Sequence, residues 1–548
     1  MKRRTVLKGG ALLGGIVGGF TAHFSPLWAA LPTFPSASTP STATTVAGQG
    51  ATSAGRTNAS TTGPSCPAGE VPGRTFEVIV VGSGTAGLCA AIAAREAGAK
   101  RVAIVEKHAL VGGHAIVSSG SVSVAFRHPD GKTPTEVERD LLMMKTEMRK
   151  AGGSAANPAL IDALVDDSES AVRWLSDLGV HWDKRVFRAV GSVSARNIST
   201  GSPQAGYDYV QVLMRRAHEL GVTFLMSTRA MGLVMHEGKV VGLDVMPMRN
   251  PVEAAAMPVA VKVLPDAPAA TMTRLYAPAV VLATGGFTAN VAMRSAWDPT
   301  IEESLPTTAN PNHALLDGAT GDGIVMAEQV GAALTGMEYI QVIPFSGGRL
   351  LDYVGGEIWI SDKGQRIVSE GTPFRELRQE LTKDDSRGFW AVSDSQTRKG
   401  ASLGIKLMEG TVKQAETLEE LARGIQVPVE VLLRTIARWN ESVASGHDLD
   451  FGTSLTGTSI QVPPFFYGRE TWSVHFTCGG IAINPVAEVL TAQGDVIPGL
   501  YAAGETTGGV HGMDRLGGNS MTDTFVFGRR AGRSAAGYAL NANRCGTL

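Results

Sequence analysis

Gly82-Ser83-Gly84-Thr85-Ala86-Gly87 constrains the fold of this chain more than any other segment. Ahead of it, Phe76-Glu77-Val78-Ile79-Val80-Val81 is apolar and β-branched, the pattern of a buried strand. Behind it, Leu88 to Gly98 is an Ala-rich run closed by glycine, the pattern of a helix. Arg101-Val102-Ala103-Ile104-Val105 is a second strand and ends in Glu106-Lys107. This order of strand, Gly-rich turn, helix, strand and acid is that of a dinucleotide-binding unit. Gly82, Gly84 and Gly87, with the small Ala86, let the backbone turn tightly and approach a pyrophosphate, to which the helix N-terminus offers free N–H groups. Glu106 is placed to accept from the ribose hydroxyls of an adenosine. The competing reading is a cluster of glycines that only packs a helix.

The rest of the composition narrows the function classes. A chain of 548 residues holds more than one domain. A formal net charge of −2 gives no electrostatic case for nucleic acid. Lys2-Arg3-Arg4-Thr5-Val6-Leu7-Lys8 is a twin-arginine pattern, followed by a short Gly-rich apolar run to about Phe20. Residues 1–34 therefore read as a signal for export of a folded protein; an uncleaved anchor and a basic helix start are the alternatives. Residues 35–73 are Ser, Thr, Ala, Gly and Pro with almost no large apolar side chain, and read as a disordered linker. There is no C-x-x-C-H, and the 4 cysteines do not have iron–sulfur spacing, so one organic cofactor and no metal is expected. Cys66 and Cys545 lie on the two tails, either as a disulfide or as two free thiols.

Two later segments repeat the strand-then-glycine pattern. Ala279-Val280-Val281-Leu282-Ala283-Thr284-Gly285-Gly286 is one, and Gly499-Leu500-Tyr501-Ala502-Ala503-Gly504-Glu505 is the other. Both suit a two-dinucleotide-fold flavoprotein closing around FAD, with Thr284, Gly285, Gly504 and Glu505 as contacts. Either alone could also be an ordinary strand–helix corner.

The run Gly504-Glu505-Thr506-Thr507-Gly508-Gly509-Val510-His511-Gly512-Met513-Asp514-Arg515-Leu516-Gly517-Gly518-Asn519-Ser520 resembles the fumarate reductase/succinate dehydrogenase flavoprotein family, in its soluble flavocytochrome-c-like branch. Gly318-Ala319-Thr320-Gly321-Asp322-Gly323, Gly364-Gln365-Arg366-Ile367-Val368-Ser369-Glu370, and His475-Phe476-Thr477-Cys478-Gly479-Gly480 carry the same likeness in the same order. The resemblance implies an α/β fold: a Rossmann-like FAD domain split by an inserted α+β capping domain. The expected parts are FAD-binding residues 74–338 and 475–542, with a cap over 339–474. It adds Lys107, Gly113, His114, Ser119, Gly120, Asp322, Gly518, Asn519 and Ser520 to the cofactor contacts. His114, in Gly112-Gly113-His114, stands where membrane-bound relatives attach FAD covalently; a hydrogen bond to the cofactor is the reading preferred here.

The implied chemistry is hydride transfer between flavin N5 and an activated C=C or CH–CH unit beside a carboxylate or carbonyl. His475 and Arg515 match the family's substrate-binding histidine and arginine. A buried core histidine, and a structural ion pair of Arg515 with Asp514 or Asp523, are the competing readings. Two positions depart from the family pattern. Ile343 replaces the histidine that grips a second carboxylate, and Phe374 occupies the ungapped position of the proton-donating arginine. One inserted residue would place Arg375 there instead; Tyr353 and Tyr467 are further candidates. The expected substrate is thus a small unsaturated acid or enone with an apolar remainder, not fumarate. A separate electron-transfer partner, a periplasmic cytochrome or a quinone-linked protein, completes the expectation. A flavin oxidase or ketosteroid-dehydrogenase-like enzyme and a non-catalytic electron-transfer subunit are the alternatives.

Overall fold

The protein is described by a computed structural model over residues 76–127, 132–202, 204–248, 272–310, 317–345, 354–383, 388–397, 403–453 and 457–544. The twin-arginine segment, the linker, Tyr353, Cys66 and Cys545 lie outside these residues.

In chain order, β1 (Val78–Val81), α1 (Thr85–Glu96), β2 (Val102–Val105), β3 (Thr223–Leu225) and β4 (Ala279–Leu282) come first. Next are β5 (Ile340–Pro344), β6 (Ile358–Ile360), α2 (Phe374–Lys383), β7 (Trp390–Ser393), β8 (Val412–Ala415), β9 (Phe465–Arg469) and β10 (Trp472–Thr477). β11 (Glu488–Leu490), β12 (Val496–Ala502) and α3 (Asn519–Arg544) are the last used below.

The main sheet has six strands in the order β11-β12-β4-β1-β2-β3. β12, β4, β1, β2 and β3 are mutually parallel, and β11 is an antiparallel edge. Every residue of β1, β2 and β4 is buried, as parallel strands covered on both faces must be. α1 and α3 cover one face together. Their backbones approach closely because a Cβ at Gly528 or Gly532 would lie 2.5 or 2.1 Å from the carbonyl oxygens of Ala86 and Ala90. The strand–turn–helix start of the sequence is thereby clamped by its C-terminal helix.

The segment between the two halves of this sheet builds its own antiparallel sheet, β6-β7-β9-β8. Helices Leu418–Gly424 and Val429–Ser445 pack on it around Trp439, Leu421 and Ile436. These two helices are separated where Gln426 takes a φ of 59° and Pro428 caps the second. This is an α+β cap inserted in an α/β FAD-binding fold. Arg366 and Glu370, prominent in the sequence, staple this cap. The Arg366 guanidinium bonds Glu370 at 2.7 Å, Asp448 at 2.8 Å and Asp450 at 3.0 Å, between the rings of Trp439 and Phe451. Tyr467 packs in the same cap core, its hydroxyl against Gly424.

Candidate active site

The Gly-rich turn stands at the tip of β1. Gly84 caps α1 without any side-chain cap, so the first-turn N–H groups of α1 are left for a ligand. A Cβ on Gly84 would meet nothing nearer than 4.0 Å, and one on Gly285 nothing at all within 4 Å. These openings are the cradle a diphosphate requires, so the residues present fit FAD. Glu106 accepts from the Ser83 N–H at 2.9 Å and its hydroxyl at 2.7 Å, and from the His108 N–H at 2.8 Å. It therefore fixes the Gly-rich loop.

Lys107 and Asp322 meet in a buried cluster. Lys107 Nζ bonds Thr320 at 2.6 Å and reaches Asp322 at 3.4 Å; Arg229 bonds both Asp322 oxygens at 3.1 and 3.2 Å. Burial depresses the Lys107 ammonium, whereas Lys107 and Arg229 outweigh burial at Asp322 and hold its carboxyl low. Gly120 presses on the start of the helix Ala205–Glu219, where a Cβ would lie 2.5 Å from the Gly206 nitrogen, and its carbonyl accepts from Tyr209 at 2.8 Å. Ser119 is half-buried beside it. Gly113 opens a 3-10 turn and has only the Gly84 Cα, at 3.7 Å, near its Cβ position.

Near the second half of the sheet, Thr284 bonds Thr506 at 3.2 Å, and the Gly504 Cβ position abuts Ala86. Glu505 accepts from the Thr477 N–H at 3.0 Å and its hydroxyl at 3.2 Å; burial pushes its carboxyl up. Gly518 and Asn519 open α3, with the Asn519 Oδ1 buried and without a hydrogen-bond partner, and Ser520 half-buried next to them.

His114 Nε2 lies 2.6 Å from Asp317 Oδ1, and Asp317 Oδ2 accepts from Thr307 at 2.6 Å. Burial opposes the charged imidazole, but the Asp317 carboxylate and its hydrogen bond outweigh this and raise His114 to about 9. The same pairing holds the Asp317 carboxyl well below the usual range. The pairing with Asp317 therefore favours the imidazolium form of His114, which is not a nucleophile. Because its folded pKa is raised, the pair's stabilisation is fully present below about pH 6.5 and is lost as pH rises through about 9. The melting temperature of FAD-loaded protein should fall more between pH 8 and 10 than that of Asp317→Asn. Parallel melting curves across that interval would contradict the pairing.

The other end of the site stands on the β5–β10 pair. The register runs Gln341↔Phe476 and then Val342↔Val474, so His475 is the extra residue of a β-bulge. Bulges re-aim a side chain; here His475 Nδ1 meets the Thr308 hydroxyl at 2.9 Å. Arg515 is buried, with its guanidinium 5.1 Å from the Phe476 ring centre and 5.6 Å from that of Phe374. Phe374 is in turn 6.1 Å from the His475 ring. The structure therefore brings His475, Arg515 and Phe374 together. Arg375 is exposed, one step round α2, with its Nη1 3.1 Å from Met513 Sδ and its guanidinium 5.8 Å from the Tyr339 ring. Ile343 and Phe374 share one apolar cluster with Val190, Val354 and Trp359.

Sequence reasoning passed over Gln341, Thr308 and Asp317, and weighed Asp514 only as an ion-pair partner of Arg515. Gln341 donates from Nε2 to the Arg515 carbonyl at 2.8 Å and accepts from Arg515 Nε at 3.2 Å. Cys478 is buried near Arg515 and Asp514, and burial pushes its thiol up strongly, which suits an inert side chain.

Residues 77–521 match the model of the FAD binding domain family. A fumarate reductase (cytochrome) of Shewanella frigidimarina is 32% identical over 476 residues, covering 85% of this chain and 78% of the relative. A urocanate reductase of Eggerthella lenta is 33% identical, over 84% of this chain and 75% of the relative. The open conformation of a flavocytochrome c3 fumarate reductase superposes with a TM-score of 0.61 at 30% identity, over 86% of this chain and 79% of that one. A 3-ketosteroid-Δ4-(5α)-dehydrogenase from Rhodococcus jostii RHA1 gives 0.59 at 25% identity, over 85% and 98%.

Proposed function

The chain belongs to the fumarate reductase/succinate dehydrogenase flavoprotein family, as an FAD-dependent oxidoreductase of CH–CH groups, and we propose that its substrate carries one carboxylate or carbonyl and an apolar remainder. When bound, FAD supplies the hydride donor or acceptor. The observation that carries the reading is the shared cluster of Ile343 and Phe374 next to Arg515. Apolar side chains at both positions leave a second carboxylate buried without a partner, at a large desolvation cost.

In this reading Arg515 meets the substrate oxygen on which charge develops, and His475 adds a hydrogen bond from Nε2 while Thr308 holds Nδ1. Arg375, at the rim, is the candidate that delivers the proton. FAD is held without a covalent bond to His114. The cap extends over residues 339–474, between FAD-binding parts 74–338 and 475–542. Export by the twin-arginine route and electron exchange with a cytochrome or quinone-linked protein complete the proposal. The likeness to a ketosteroid dehydrogenase supports a second reading, a dehydrogenase of ketones, through the same apolar cluster.

The test is reoxidation of the reduced, FAD-loaded protein by a panel of enoates, enones and fumarate. An aryl enoate or enone should be used at least tenfold more efficiently than fumarate. Ile343→His should raise kcat/KM for fumarate by about 10–150-fold at most, the scale of one added charge-assisted hydrogen bond of about 1.5–3 kcal/mol. Fumarate as the best wild-type substrate would refute the reading.

A further inference from the structure

Asp514 is the buried acid beside the cation just assigned to the substrate oxygen, and nothing in that reading uses it. It is 4% exposed, as is Arg515. One of its oxygens accepts from the Gln341 side-chain amide, and the other from the Arg375 N–H at 3.1 Å, at the start of α2. The orientation of Gln341 is forced. Its oxygen must face Arg515 Nε, and its NH2 must face the Arg515 carbonyl. The group meeting Asp514 is therefore a donor, and the Arg375 N–H is a donor by nature. Both carboxyl oxygens face donors, so the site is shaped for the carboxylate and not for the neutral acid. A helix start favours the same charge. On balance burial holds the Asp514 carboxyl above its ordinary value, with the Arg375 N–H, Gln341 and the Arg515 charge limiting that rise; the two donors facing its oxygens are what favour the carboxylate.

We propose that Asp514 offsets the charge of Arg515 and so selects an uncharged α,β-unsaturated carbonyl compound, an enone or ester, over the corresponding acid. This rests on the reading that Arg515 meets the substrate oxygen. A guanidinium whose charge is offset nearby still donates hydrogen bonds to a ketone or ester oxygen. It attracts a free carboxylate much less, because the anion also feels Asp514 in a poorly screened interior. The rings of Phe374 and Phe476 flank the same guanidinium and add no charge. Asp514 is thus a specificity-determining residue acting through Arg515 and Gln341.

The experiment compares a matched trio, an aryl enoic acid, its methyl ester and its methyl ketone, with the full-length FAD-loaded protein. Wild type should show kcat/KM at least tenfold higher for the ester and ketone than for the acid. Asp514→Asn keeps the side-chain shape and removes the charge, and should shift the acid-to-ketone ratio by at least tenfold toward the acid. Asp514→Glu should keep the wild-type ratio. Loss of rate on all three substrates at a constant ratio would mean a structural role and overturn the proposal. Should Asp514→Asn not load FAD, the wild type decides alone, through flavin difference spectra with the saturated acid and ketone. Tighter binding of the acid overturns the proposal while leaving the substrate reading intact. Failure of every trio member to bind or react overturns that reading and the proposal with it.

Discussion

Arg515→Ala is expected to lower the rate of substrate-driven flavin reoxidation by about 10²–10³-fold, the usual consequence of removing a preorganised donor worth about 2.7–4 kcal/mol to a transition state. The guanidinium is held from three directions. Gln341 accepts from its Nε at 3.2 Å, the Leu516 carbonyl accepts from Nη1 at 3.3 Å, and two phenyl rings flank it. It therefore loses little freedom when substrate arrives. FAD content and melting temperature should change far less than the rate, because the FAD cradle lies on other elements. Single-turnover mixing of reduced protein with substrate is the measurement. Near-wild-type rates would show that the site has been placed wrongly.

Gly84→Val and Gly87→Ala should fail in opposite ways. A Cβ on Gly87 would lie 2.0 Å from the Gly82 carbonyl oxygen, a backbone atom that cannot swing aside. Overpacking of this kind costs typically about 1–3 kcal/mol and more where backbone must move, so Gly87→Ala should unfold the βαβ unit or lower its melting point steeply. Gly84 has open space instead, with its nearest neighbour 4.0 Å away. Its valine variant should fold with near-normal circular dichroism, yet purify without yellow colour, because the added methyl groups fill the space of the diphosphate. A Gly84→Val protein that binds FAD with wild-type affinity would contradict this placement of the cofactor.

The βαβ unit was legible because its signal is local: one strand, one turn and one helix within 30 residues or so of each other. The order of the six-stranded sheet was not, since β12 joins β4 across a whole inserted cap. Ile343 and Phe374 were legible only as departures from a family pattern. That they touch one cluster needed the pairing of β5 with β10 and the approach of α2. The bulge at His475 has no signal in the sequence, because a one-residue register shift leaves the alternation of Trp472 to Thr477 unchanged to the eye. Gln341 and Thr308 were missed for a different reason. Their side chains act on residues more than 160 positions away, at separations of 174 and 167. Arg366 and Glu370 gave the reverse error of emphasis: a conspicuous motif whose charges close on each other inside the cap.

The clamp of α3 on α1 sets a timetable for synthesis. Thr85 and Thr524, hydrogen-bonded at 3.0 Å where the two helices meet, are 439 positions apart. At about 5–20 residues per second, a ribosome needs roughly 20–90 s to make the chain between them. For that interval the strand tips and the bare N-terminus of α1 wait without the helix that covers them. Nascent chains of this protein should therefore depend on holding chaperones, and cofactor capture should begin only after release from the ribosome. A truncation that stops before Asn519 should leave a product that is made at a normal rate and then degraded.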